Sequence, residues 1–214
     1  MSGKAARSRA ERDAPSQPVP TRQVLAEAAA AYLARYSASQ RGLRDVLIRR
    51  IERWRAFATN NGAASDDAEQ IAAQARSDAE AVVAKLVGAG ALDDAQFAEQ
   101  RARSLRQSGR SRRAISARLM AKGIDATQAR DAAGDDGEAE LAACLVLLRR
   151  RRLGPYAADG GAAIETDEDG NEIGKRHKVL AMLARAGFAA DVARRALAMD
   201  REEAEDRIIA LRRT

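Results

Sequence analysis

Residues 112–132 superpose on residues 176–196 at a constant offset, and the positions that agree are those a small helical unit needs. Ile115 meets Val179, Leu119 meets Leu183, Ile124 meets Phe188, Arg112 and Arg130 meet Arg176 and Arg194, and Gly123 falls on Gly187. Apolar residues one turn apart, followed by a glycine, describe a helix with one buried face and a left-handed closing residue. An earlier stretch fits more loosely, with Leu43 and Leu47 in the places of Ile115 and Leu119 and Ile51 where the glycine would stand. A supersecondary unit that cannot bury its apolar face alone is stabilised by stacking on copies of itself. The expected fold is therefore all-α, with tandem three-helix repeats forming an elongated, curved array.

Helical spacing extends through the rest of the chain. Leu25, Ala29, Tyr32 and Leu33 mark a first helix, and Leu43, Leu47, Ile51 and Trp54 mark a second that ends at Asn60-Asn61-Gly62. An alanine-rich third helix over 66–87 sets Ile71, Val82, Val83 and Leu86 on its stripe and closes at Gly88 and Gly90. Asp93, Ser111 and Asp125 each cap a further helix, stopped respectively by Ser108-Gly109, Gly123 and Gly134. Alternating β-branched runs are scarce and only 3% of residues are aromatic, so thin, closely packed helices suit the composition. The boundaries that follow are a basic tail over 1–21, expected to be disordered, then repeats over 22–90, 91–136 and 137–214, the last with a polar insertion at 157–174.

That insertion contains Glu165, Asp167, Asp169 and Gly170 in the order of a calcium-binding loop, which requires a glutamate at its twelfth place. Arg176 stands there instead, so a surface loop or an Asp-Gly hairpin is expected and no metal. The one cysteine, Cys144, lies in the apolar run 141–148 and reads as a buried, inert thiol. His177 sits among Lys175, Arg176 and Lys178, an exposed basic surface with no carboxylate to orient a general base. Phosphate-binding glycine loops, zinc-spaced ligand sets and nucleophile elbows are missing from the sequence. No enzyme activity and no cofactor are expected. Nothing resembles a membrane span or a secretory signal, so a cytoplasmic monomer without membrane association is expected.

Charge supplies the functional signal. Between Glu99 and Asp125 eight cations follow one another without an acid: Arg101, Arg103, Arg106, Arg110, Arg112, Arg113, Arg118 and Lys122. The whole chain is nearly balanced, with 37 Lys and Arg against 31 Asp and Glu, and the stretch 131–140 just downstream is acidic. A helix face that is merely solvated brings glutamates at i,i+4, and none is present here. Most of these guanidinium groups are expected to converge around the turn at Arg110, with Arg118 and Lys122 extending the patch. Arginine forks bind phosphate or carboxylate, so single- or double-stranded DNA and an acidic protein surface both fit. A second set, Arg149, Arg150 and Arg152, with Lys175 and Arg176, joins the candidates. For Arg149–Arg152 a binding role competes with simple complementation of a helix C-terminus.

Leu92-Asp93-Asp94-Ala95-Gln96-Phe97-Ala98, then Arg103-Ser104, Gly109, Arg112-Arg113, Ile115, Leu119 and Lys122-Gly123-Ile124 resemble, without a gap, the central repeat of the RecX family, regulators of the RecA recombinase. The chain departs from that family at Arg101, where an aromatic is usual, in its extended 60–73 region and in the acidic insertion. The resemblance covers about 23–198 and implies a non-enzymatic modulator that lies along the recombinase filament and restrains ATP hydrolysis and strand exchange. A helix-turn-helix transcription factor is the alternative, since residues 111–133 copy that layout. Its recognition helix would offer only Thr127, Gln128, Arg130 and Asp131, with the cations upstream.

With arginine at the twelfth place of the loop, calcium is expected to leave the thermal midpoint unchanged. A rise of several degrees on adding calcium, followed by differential scanning fluorimetry against a chelated sample, would restore the metal reading.

Overall fold

The computed structural model describes residues 17–157 and 171–213, without the side chains of 171–175. The expected tail up to residue 16 and the insertion from 158 to 170 lie outside the described residues. Ten α-helices and one 3-10 turn make up the described structure, and no strand occurs in it. The helices are α1 (Arg22–Leu33), α2 (Gln40–Asn60), α3 (Ser65–Gly88), α4 (Asp94–Gln107), α5 (Arg112–Ala121), α6 (Ala126–Ala133), α7 (Gly137–Arg151), α8 (Asn171–Arg185), α9 (Ala190–Ala198) and α10 (Arg201–Arg213). The chain divides into two compact units, Met1–Asp93 and Asp94–Thr214.

In the first unit Thr21 and Ser39 cap α1 and α2 by accepting the N–H groups of Val24 and Gly42. Leu43, Leu47 and Ile51 of α2 meet Ala72, Ala75, Ala79, Val82 and Val83 of α3, with Leu25 and Ala29 of α1 completing the core. A nearly all-alanine stripe lets α3 approach its partners closely, which is how a unit with few large side chains still excludes water. Ile71, expected on that stripe, is instead 39% exposed, because Ala68, Ala72, Ala75 and Ala79 define the buried row. Outside the core, Arg76 bridges Glu52 of α2 and Glu69 of its own helix at 2.6 and 2.8 Å, and Arg44 pairs with Glu80.

The second unit holds two helix sets. In α4–α6, Ala98, Ala102, Leu105, Ile115, Leu119, Ile124, Ala129 and Ala133 form one core. In α7–α10, α7 is the spine, buried continuously from Glu140 to Val146, and α9 and α10 lie against it. The sequence pattern did not single out α10, whose Ala204, Ile208 and Leu211 seal the far side of α7. Leu119 and Leu183 occupy equivalent, fully buried positions in α5 and α8. Each helix also closes alike, Ile124 N–H donating to Leu119 O at 3.2 Å and Phe188 N–H to Leu183 O at 3.1 Å, the bonding of a left-handed glycine stop. Tandem helical repeats are thus present in this unit.

The expected insertion reached Gly174, whereas α8 already begins at Asn171.

Replacing Leu119 or Leu183 by alanine should each lower unfolding free energy by about 2–5 kcal/mol, the range for emptying a packed leucine site. Urea denaturation checks this, and a loss confined to one of the two would break the equivalence.

Candidate interaction surface

Arg110 lies in the turn between α4 and α5, after Gly109. That glycine has φ +80°, and a Cβ there would stand 2.9 Å from the backbone nitrogen of Leu147, so the turn rests directly on α7. From α7, Arg150 reaches back and donates to the carbonyl of Ser108 at 2.9 Å. Arg118 approaches from α5. Its own partial burial, and after that the positive charges of Arg118 and Arg150, push the Arg110 pKa down. Among the described residues none of the three has an acidic partner within ion-pairing distance. Arg110 thus feels two like charges, one from α5 and one from α7, and none of the three arginines is neutralised by an acid among the described residues.

The other predicted cations divide between surface and framework. Arg103, Arg113 and Arg118 are exposed, and so are Lys122, at the C-cap of α5, and Arg176 on α8. Arg106 is instead turned into the fold, where it donates to the last carbonyls of α6, Ala133 O at 2.6 Å and Ala132 O at 3.5 Å. Arg112 pairs with Asp135, and Arg149 with Glu205 of α10 at 3.0 Å. Beside that second pair the hydroxyl of Tyr156 is pushed up to about 12, first by burial and then by the Glu205 charge. Arg152 ends α7 in the left-handed conformation with its side chain exposed. The side chain of Lys175 lies outside the described residues. Of the cations expected to converge around Arg110, backbone carbonyls take Arg106 and Asp135 takes Arg112, while Arg150, from the second expected set, bonds the Ser108 carbonyl of that turn.

What sets this arrangement is the start of α5. Its first N–H groups have no helical partner. Ser111 Oγ accepts from Ala114 N–H at 3.3 Å and donates to Ala186 O at 2.6 Å, tying the cap to the closing turn of α8. Gly187, at φ +91°, allows that approach, since a Cβ there would stand 2.6 Å from Ser111 Oγ. Glu140 of α7 accepts the Arg112 N–H at 2.9 Å. In the sequence Glu140 belonged to an acidic stretch, whereas in the fold it is a buried cap. No local pattern marks it, because donor and acceptor are 28 residues apart. Burial is the main cause that lifts the Glu140 pKa, opposed by the Arg112 N–H and by the charges of Arg112 and Arg106.

A separate groove of about 840 Å³ runs between α5 and α6, with Arg112, Arg113, Ser116, Met120 and Arg130 on its walls. Cys144 faces the core of α7, and burial pushes its thiol up to about 12, which leaves it protonated at neutral pH. Among the described residues no cluster of His, Cys, Asp and Glu is placed to hold a metal ion, and no helix is long and apolar enough to cross a membrane.

Residues 93–132, spanning α4 to α6, match the model of the RecX second three-helix domain. Regulatory protein RecX of Myxococcus xanthus is 35% identical over 177 residues, covering 81% of this chain and 83% of its own. The protein of the same name from Agrobacterium fabrum is 33% identical over 134 residues, 63% of this chain and 66% of its own. That of Mycobacterium leprae is 40% identical over 114 residues, 51% and 59% respectively. No solved structure matches the chain.

The raised pKa of Glu140 fixes the sign of a pH effect. The folded chain holds this proton to higher pH than the unfolded chain does, so the group's contribution to stability falls as pH rises from the ordinary value of 4.5 through the raised one. Glu140→Gln keeps an oxygen for the Arg112 N–H and removes the ionisation. Urea denaturation across that window should show the variant gaining on the parent as pH rises, and a constant difference between them would contradict the buried-carboxylate account.

Proposed function

This chain belongs to the RecX family of regulatory proteins, and on that premise we propose that it binds the RecA recombinase filament and inhibits its ATPase and strand-exchange activities, modulating recombination and DNA repair. It does so in the cytoplasm, as a monomer and without chemistry of its own. The observation that carries the proposal is the cluster of Arg110, Arg118 and Arg150. Like charges held together raise the local positive potential and favour any anion that enters among them. A recombinase filament offers two such anions, the phosphates of its DNA and the acidic side chains of its protomers. Contacts too weak to hold singly gain from one another when the same chain makes several of them along a filament.

The groups that secure the fold are kept out of the binding role. Arg106 and Arg149 are bonded to other helices, so their removal would confuse loss of binding with loss of structure, and Arg112 is already neutralised by Asp135. Arg103 and Arg113 are exposed and make no ion pair among the described residues. The helix-turn-helix alternative gains no support from α6, where Arg130 Nε bonds back to the Ala126 carbonyl at 3.0 Å.

Replacing Arg110, Arg118 and Arg150 together by alanine should leave the chain folded, with the thermal midpoint lowered only by loss of the exposed Arg150 bond to the Ser108 carbonyl, and raise the concentration needed to inhibit filament ATPase by about tenfold or more. Binding measured across a salt series then separates the two targets. Each phosphate left without its arginine lowers the log–log slope by up to about one unit, whereas binding to acidic side chains depends less steeply on salt. Inhibition by the folded triple variant at the parent concentration would move the surface elsewhere. Sequence-specific binding to a duplex with no effect on recombinase would favour the transcription-factor reading.

A further inference from the structure

Helix α2 in the first unit carries six arginines, Arg41, Arg44, Arg49, Arg50, Arg53 and Arg55, against two acids, Asp45 and Glu52. Its buried row of Leu43, Leu47, Ile51 and Trp54 separates two flanks at about 100° per residue. On one flank all the charges except that of the exposed Arg41 are matched. Arg44 pairs with Glu80, Arg55 with Glu52 and Glu69, and Glu52 with Arg76, whose guanidinium also holds Glu69. Their attraction holds the Glu52 carboxyl below the usual carboxylate range, chiefly through the Arg76 and Arg55 hydrogen bonds.

The other flank carries Arg49, Arg50 and Arg53 beside the half-buried Val46 and Phe57. None of these arginines has an ion pair among the described residues, and Asp45, one turn before Arg49, makes none with it. Arg53 Nε donates to the Arg49 carbonyl at 3.3 Å, which lays its side chain back along the helix toward residue 49. Surface arginines solvating a helix would be spread around it, as charge on the first flank is spread between partners. Here the ion pairs between α2 and α3 fall on one flank, and Arg49, Arg50 and Arg53 take part in none of them.

We propose that the Arg49, Arg50 and Arg53 ridge of α2 is a second anion-binding surface, and that it takes the sugar-phosphate backbone of a nucleic acid without reading sequence. This goes beyond the recombinase reading and does not depend on it. A rise of 1.5 Å per residue sets Arg49 and Arg53 about 6 Å apart along the helix. Such a ridge suits a linear polyanion, since duplex DNA presents a charge about every 1.7 Å of its axis and satisfies the ridge at any sliding position. An acidic protein face would have to supply carboxylates at one fixed spacing. Guanidinium forks match phosphate bidentately, and Val46 and Phe57 provide no hydrogen-bonding groups to distinguish base edges.

The test uses the full chain and fluorescently labelled oligonucleotides, single-stranded and duplex, with no recombinase present. Replacing Arg49, Arg50 and Arg53 by alanine should weaken binding about tenfold or more at low salt and lower the duplex log–log salt slope by about two to three units, near 0.9 for each phosphate that the ridge neutralises. The corresponding lysine variant should keep most of the slope, because a point charge still displaces counterions. Should the triple alanine variant fold poorly by circular dichroism, Arg49→Ala with Arg53→Ala alters only the two exposed members and should lower the slope by about two. A folded variant with parental affinity and slope overturns the proposal. So does one that keeps oligonucleotide binding and loses only filament binding, since the ridge would then face protein. Filament inhibition abolished by the 110, 118 and 150 changes but not by these would leave both surfaces standing as separate ones.

Discussion

The N-terminus of α5 is the joint on which the second unit depends. A helix begins with N–H groups that have no partner in the helix, and burying them unpaired costs more than most single contacts return. Here they are satisfied by Ser111, whose hydroxyl also holds the α8 turn, and by Glu140 from the middle of α7. One helix start thus engages two elements of the following repeat. Because α7 must lie where Glu140 can reach Arg112, Arg150 further along the same helix comes to the Ser108 carbonyl and therefore to Arg110. The cation cluster follows from a capping requirement.

Two glycines make that joint possible. At 109 and 187 a side chain would collide with the Leu147 backbone and with the Ser111 hydroxyl, respectively. Both residues stop a helix in the left-handed conformation, and the same absence of Cβ that permits the stop permits the close approach.

Acidic residues also have two fates. Glu52, Glu69 and Glu80 neutralise arginines between α2 and α3, while Asp135 and Glu205 occupy Arg112 and Arg149 in the second unit. Exposed pairs of this kind add little stability individually. Their larger effect is selective, because they remove particular cations from the free surface and leave others uncompensated. In the first unit the unpaired set includes 49, 50 and 53, and in the second it includes 110, 118 and 150. A count of charges along the chain cannot distinguish the two groups, since Arg110 and Arg112 differ only in what lies opposite them after folding.

Periodicity and punctuation were sufficient for the helices, because each is specified by residues within a few positions of one another. Leu119 and Leu183 could be set in equivalent buried sites, and the caps at Ser111 and Asp125 located, from spacing alone. Ile71 was misplaced because the alanines that actually form the buried row of α3 give a weak hydrophobic signal beside a larger residue. The basic character of the second repeat was equally legible, but its division into framework and surface was not. Arg106 meets carbonyls 26 and 27 residues away, Arg150 meets one 42 away, and Glu140 serves a helix that begins 28 residues before it. The sequence by itself determined which segments become helices, where they stop and that cations would concentrate in α4 and α5. Only the tertiary structure decided which of those cations remain without a partner, because that depends on acids and carbonyls brought alongside by packing between helices distant in the chain.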